Sequence, residues 1–216
     1  IGTGSAAAND GVTVTGCYVS GRGSGVGGIF GSEQSAWGYH LSISDSLVRG
    51  ETPPRKGSFY GIGGAIGDKA WNASISWADA NNVRVESTAH YDVGGLIGYV
   101  SGGTIRYSTC TNGVVKAEAD TTGNYANTDK LVGGFIGDGS NASYSYCGTI
   151  NTIVDAETMS EVGGFAGRIG AGIGQNNSMY YCYSIGKTDE NLKDTIYAAQ
   201  AAPEYYVKGK TKVGGL

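Results

Sequence analysis

Charge is scarce in this 216-residue chain: 16% of its residues are Asp, Glu, Lys or Arg, and they leave a net charge of −4. No basic block stands out, so the phosphate-neutralising surface that nucleic acid requires is missing. Long apolar runs are missing too, and none approaches the roughly 18 residues of a membrane span. The strings H-E-x-x-H, G-x-S-x-G and G-x-x-x-x-G-K-[ST] are absent, which removes the commonest zinc-hydrolase, serine-hydrolase and phosphate-loop signatures. Gly23, Gly25 and Gly28 spell G-x-G-x-x-G, but no helix pattern follows, and in so Gly-rich a chain the match is accidental. The 2 histidines, His40 and His90, occupy unmatched positions and read as surface or loop residues. With 40% hydrophobic residues the chain is nevertheless too apolar to be disordered.

What is abundant is glycine, 39 residues of it, without the three-residue period of collagen. Much of it belongs to one repeated string: VGGIFG from Val26, IGGAIG from Ile62, VGGLIG from Val93, VGGFIG from Val132, VGGFAG from Val162, and VGGL from Val213. The steps are 36, 31, 39, 30 and 51 residues, a fixed core with loops of varying length, as in a solenoid. The chain opens on Ile1 and stops inside a repeat, which reads as a piece of a longer protein.

The intervening segments repeat as well. TVTGC, SISDS, SISWADA, TIRYSTC, SYSYC and SMYYC, ending at Cys17, Ser46, Ala80, Cys110, Cys147 and Cys182, alternate and favour aromatic and β-branched residues, as strands do. A third segment reads VRGE from Val48, VRVE from Val83, VKAE from Val115 and VDAE from Val154. Three short strands per turn predict an all-β chain, a right-handed parallel β-helix of five to six coils forming a single domain over 1–216. Val26, Ile62, Val93, Val132 and Val162 form one inward column; Phe30, Ile66, Ile97, Ile136 and Ala166 form a second. The glycine pairs, Gly27–Gly28, Gly63–Gly64, Gly94–Gly95, Gly133–Gly134 and Gly163–Gly164, permit positive φ or close backbone contact. Within the longest step, acidic residues at the start, helical apolar spacing and Pro203 at the end predict a short helix over 189–202.

VGGhhG, a variable loop and then CYxxG (CYVSG from Cys17, CYSIG from Cys182) resemble the GLUG motif family. The VGG half covers nearly the whole chain; the CY half is kept in two repeats. The resemblance implies a secreted or surface-anchored bacterial module, as in adhesin-like proteins and the non-catalytic regions of IgA-specific metallopeptidases. It carries over no catalytic residue, and it implies a host glycan or surface protein as partner.

The remaining candidates are columns. Cys17, Cys110, Cys147 and Cys182 align in one register, which fits a ladder of buried, reduced thiols better than disulfides or a metal; no C-x-x-C zinc spacing occurs. Arg49, Arg84, Lys116 and Asp155 share a register in the third segment, and Glu51, Glu86, Glu118 and Glu157 share the register two residues on, all on one outward face. They form a solvated salt-bridge ladder or a polar groove for a glycan or Ca²⁺. The many tyrosines, such as Tyr144, Tyr146, Tyr180, Tyr181, Tyr205 and Tyr206, fit packing or sugar stacking. A non-catalytic structural or adhesive module, open to glycan or protein binding, is the function that follows, with no cofactor and no metal expected. The alternative is a carbohydrate-active β-helix enzyme using Glu118, Asp155 and Glu157 with Lys116.

Overall fold

Val26 pairs with Ile62, Ile62 with Val93, Val93 with Val132, Val132 with Val162 and Val162 with Val213, every pair in a parallel ladder. The same progression holds on two further sheets of the computed structural model, so each pass of the chain adds a rung and the protein is a parallel β-solenoid. The structure describes residues 3–4, 8–22, 25–34, 37–51, 61–70, 74–88, 91–118, 130–170, 176–186, 207–210 and 212–215. The helix expected over 189–202 lies outside them; the described residues contain strands and turns and no helix.

One six-stranded sheet carries the VGG strands: Gly25–Gly27, Gly61–Gly63, Asp92–Gly94, Leu131–Gly133, Glu161–Gly163 and Val213–Gly214. A second six-stranded sheet stacks Tyr18–Gly21, Leu47–Gly50, Arg84–Ser87, Val114–Ala117, Ile153–Ala156 and Val207–Gly209. A long 14-stranded sheet takes the rest, including Ile97–Arg106 and Ile136–Ser145. The two expected apolar columns line the interior; Ile62, Val93, Val132, Ile66, Ile97 and Ile136 are wholly buried. Val48, Val85, Val115 and Val154 supply a third buried column from the second sheet.

The glycines are there for space. No motif glycine has positive φ, so close approach is what excludes a side chain. A Cβ on Gly94 would overlap the carbonyl oxygen of Ile97 within its own motif. One on Gly95 would overlap the Gly134 carbonyl in the next coil and sit 2.7 Å from the Cys110 sulfur. The last glycine of the motif, Gly98, lies against the backbone of Ile62 one coil back. VGGhhG is therefore a tight edge at which two sheets meet backbone to backbone.

Two other corners do use positive φ. One column runs through Gly11, His40, Trp77, Tyr107, Tyr146 and Tyr181, with φ from 49 to 70°; the other runs through Gly16, Asp45, Asn82, Asn112 and Asn151, with φ from 50 to 65°. Asn and Asp tolerate this region, and Asn82 donates to Asp45 (2.7 Å) and Asn151 to Asn112 (3.3 Å) up the ladder. The aromatic residues tolerate it poorly, at about 1–2 kcal/mol each. Their rings stack face to face from His40 to Tyr181 at centroid spacings of 5.0–5.3 Å, close to the coil repeat, and such contacts return about 0.5–1.5 kcal/mol each. His40 thus occupies a matched position after all.

The cysteine register is corrected. Ala80 pairs with Cys110 and Cys110 with Thr149, whereas Cys147 aligns with Ser108 and Cys182 through the pairs Thr109–Gly148 and Gly148–Tyr183. Cys17 lies beside Ser46, whose hydroxyl accepts its N–H at 3.1 Å. The four cysteines occupy three columns, and Cys17 is exposed.

Candidate functional site

The charged face belongs to the second sheet, whose strands alternate an inward apolar residue with an outward polar one. Val48, Val85, Val115 and Val154 fix its inner register. Arg49, Glu86, Lys116 and Asp155 therefore form a single outward row. This corrects the sequence alignment: VRVE, read from Val83, belongs two residues later, at Val85. Arg84 falls in the row of Leu47 and Val114, and Glu86 stands between Arg49 and Lys116 instead of above Glu51. The neighbouring row runs Glu51, Thr88, Glu118 and Glu157. Signs now alternate along the first row and Thr88 separates Glu51 from Glu118 in the second, so like charges adjoin only at Glu118 and Glu157.

Pairing is dense. Arg49 donates to Glu86 (Nε to Oε2, 2.9 Å), Arg84 also pairs with Glu86, and Lys116 pairs with Glu118 at 2.7 Å. Arg22 donates to Glu51 at 2.9 Å and Ser20 does so at 3.1 Å. These contacts set the charges. Arg22, then Ser20, hold the Glu51 carboxyl below its ordinary range. Burial works to raise the Glu86 carboxyl, but hydrogen bonds from Arg84 and Arg49 outweigh it and leave it lowered. Lys116 is raised by its bond to Glu118.

Between the two rows lies a groove of about 250 Å³ lined by Arg49, Gly50, Glu51, Glu86, Ser87, Thr88, Lys116 and Glu118. Five of the sequence candidates meet there; Arg84, Asp155 and Glu157 are not among its lining residues. Sequence reasoning missed Ser87 and Thr88, which enter once the register is shifted. It also missed Lys130, buried to 1% exposure, whose ammonium donates to the Thr88 and Glu118 carbonyls at 2.9 and 2.7 Å. That cation ties consecutive coils together at the C-terminal ends of the strands that form the groove.

A second constellation, Asp68, Tyr99, Asp138 and Arg168, forms one cross-coil row of the long sheet. Arg168 grips Asp138 with two bonds of 3.2 and 2.7 Å. Asp92 is pushed well above its ordinary value, first by burial and then by the Asp138 charge. Burial raises Asp68 to about 6, and its Oδ1 has no hydrogen-bond partner. Buried carboxyls raised in this way resemble general acids. Asp92 and Asp138 are each only 4% exposed, which leaves a substrate no approach, so the row acts on stability. Among the described residues no group of three or more His, Cys, Asp or Glu side chains is arranged to hold a metal ion. No helix there is long and apolar enough to cross a membrane.

The expected tyrosines divide. Tyr144 is buried, while Tyr146 and Tyr181 are exposed, the first giving both faces and the second one face to ring neighbours. Sugar stacking needs an open face, and a continuous ladder presents mainly edges. No protein-family model, curated protein or solved structure matches the chain.

Proposed function

We propose that this chain is a non-catalytic binding module: a rigid β-solenoid that displays a polar groove to a neutral, hydroxyl-rich polymer such as an oligosaccharide. The observation that carries it is the state of the groove's carboxylates. Glu51, Glu86 and Glu118 are each tied to a cation, and two of them are held below their ordinary pKa. Glycoside hydrolysis needs one carboxyl kept protonated as general acid, with a second at a defined separation. An array of paired donors and acceptors suits hydroxyl recognition instead. The likeness of VGGhhG and CYxxG to GLUG repeats supports a bacterial secreted or cell-surface setting and an adhesive role.

A glycan array followed by calorimetry on the intact chain tests this. Binding that weakens at least about tenfold in Lys116→Ala, or in Glu86→Gln, supports the groove as the site. Turnover of any bound polysaccharide, lost in Glu118→Gln, would establish the enzymatic alternative and end the binding-module reading.

A further inference from the structure

We propose that Cys147 and Cys182 are a dithiol–disulfide pair that staples two consecutive coils under oxidising conditions. They are in-register neighbours: Gly148 pairs with Tyr183 immediately after them, and the Tyr183 N–H donates to the Cys147 carbonyl at 3.1 Å. Neighbouring parallel strands lie about 4.8 Å apart, within the roughly 4.4–6.8 Å between Cα atoms that a disulfide spans. Both side chains turn to the same side, as in-register residues of neighbouring parallel strands do. The other cysteines have no such neighbour. Cys110 lies wholly buried between Ala80 and Thr149, and Cys17 stands beside Ser46.

The pair is asymmetric in the way exchange chemistry requires. Cys182 is half-buried and its thiol is drawn down to about 7, chiefly by the hydrogen bond from Cys147. Cys147 is wholly buried and its thiol is pushed up, chiefly by the same bond and then by burial. Cys182 is therefore the attacking thiolate and Cys147 the resolving thiol. With a small-molecule disulfide RSSR as oxidant, the Cys182 thiolate forms a bond to one sulfur and expels RS⁻. The thiolate to which the Cys147 S–H would donate is then gone, which removes the main contribution holding its proton. Cys147 loses that proton to the departing RS⁻ and attacks the Cys182 sulfur, and a second RS⁻ leaves, to be protonated by solvent. Two protein thiols have lost two electrons, and RSSR has gained them as two RSH.

The test uses the full chain, oxidised glutathione and mass spectrometry with peptide mapping. The expected product is a Cys147–Cys182 linkage without retained glutathione at either residue, with Cys110 still a free thiol and Cys17 free or glutathionylated. Thermal melts should rise by roughly 5–10 °C on oxidation and return with reductant, since the bond closes a loop of some 35 residues. Cys147→Ser is a conservative control, because Ser108 already fills that column position one coil earlier; in it Cys182 should trap as the glutathione mixed disulfide. Accumulation of that mixed disulfide in the unaltered chain, or an inert Cys182, overturns the proposal. Mapping the unaltered chain keeps the test decisive even if the variant fails to fold.

Discussion

Replacing Gly134 with Ala should destabilise the protein, and the same change at Gly215 should not. The structure sets the magnitude. A Cβ on Gly134 would overlap the Gly164 carbonyl oxygen and lie 3.1 Å from the Thr149 methyl and 3.2 Å from the Gly164 carbonyl carbon. The obstacle is backbone of the adjacent coil, which cannot swing aside as a long side chain would. Relief requires the coils to part by about an ångström, which takes the 3.2 Å bond from the Gly134 N–H to the Gly163 carbonyl beyond hydrogen-bonding range. The lost bond contributes about 0.5–1.5 kcal/mol and overpacking adds about 1–3 kcal/mol. Against this stands a gain of about 0.4–1 kcal/mol from the stiffer unfolded chain. The net is a loss of about 2 kcal/mol, or roughly 4–8 °C in Tm for a chain of this size. A Cβ on Gly215 would meet nothing within 4 Å among the described residues, and φ there is not in the left-handed region, so only the unfolded-state gain remains. Paired thermal melts decide the matter: equal shifts at the two sites would mean that coil-to-coil contact is not what the glycines serve.

Two further outcomes follow from buried and strained groups. Asp68 is raised to about 6 by burial from an unfolded value near 3.9, so between about pH 4 and 6 the folded chain holds a proton that the unfolded chain releases. Stability therefore falls as pH rises through that window and stays lower above it, and Asp68→Asn should gain about 1–3 kcal/mol at pH 7 and little at pH 3.5; urea midpoints at both pH values would check it. Asn112, at φ 52° and bonded to both Asn81 (3.1 Å) and Asn151, should lose about 1–2 kcal/mol as Ala but less as Gly, because Ala adds backbone strain to the lost bonds. Denaturation curves that rank Gly below Ala would contradict the strain.

The solenoid was legible because its strongest signal is steric. Few residues besides glycine fit where Gly94 meets Ile97 and Gly95 meets Gly134, so VGG recurs without gaps and marks each coil. Elsewhere a position asks only for something small or something polar. Ser108, Cys147 and Cys182 share a column while Cys110 fills the next one, and matching cysteine to cysteine slid the alignment by two residues. The same slip placed Arg84 over Arg49. A two-residue shift keeps every side chain on its own face, so the outward face was read correctly while its rows were not. The positive-φ corners held the missing anchor: Gly11 and Gly16, His40 and Asp45, Trp77 and Asn82, Tyr107 and Asn112, Tyr146 and Asn151 stand five residues apart in five consecutive coils. The spacing is constant but the residue types change, and no single-letter motif records it.

That correction can be tested by covalent geometry. In the observed register Arg49 and Glu86 are direct partners, with Cα atoms about 4.8 Å apart, inside the disulfide range of roughly 4.4–6.8 Å. Arg84 stands two residues away along the strand, a displacement of about 6.7 Å, so its Cα lies about 8 Å from that of Arg49, beyond the roughly 7 Å that a disulfide can bridge without backbone movement. All three positions face outward, so accessibility does not separate them. The pair Arg49→Cys with Glu86→Cys should oxidise to an intramolecular bond on mild treatment, while Arg49→Cys with Arg84→Cys should not. Peptide mapping distinguishes the introduced bond from the native thiols. Preferential closure of the Arg49–Arg84 pair would restore the VRVE alignment from Val83, and the alternating row that builds the groove would no longer exist.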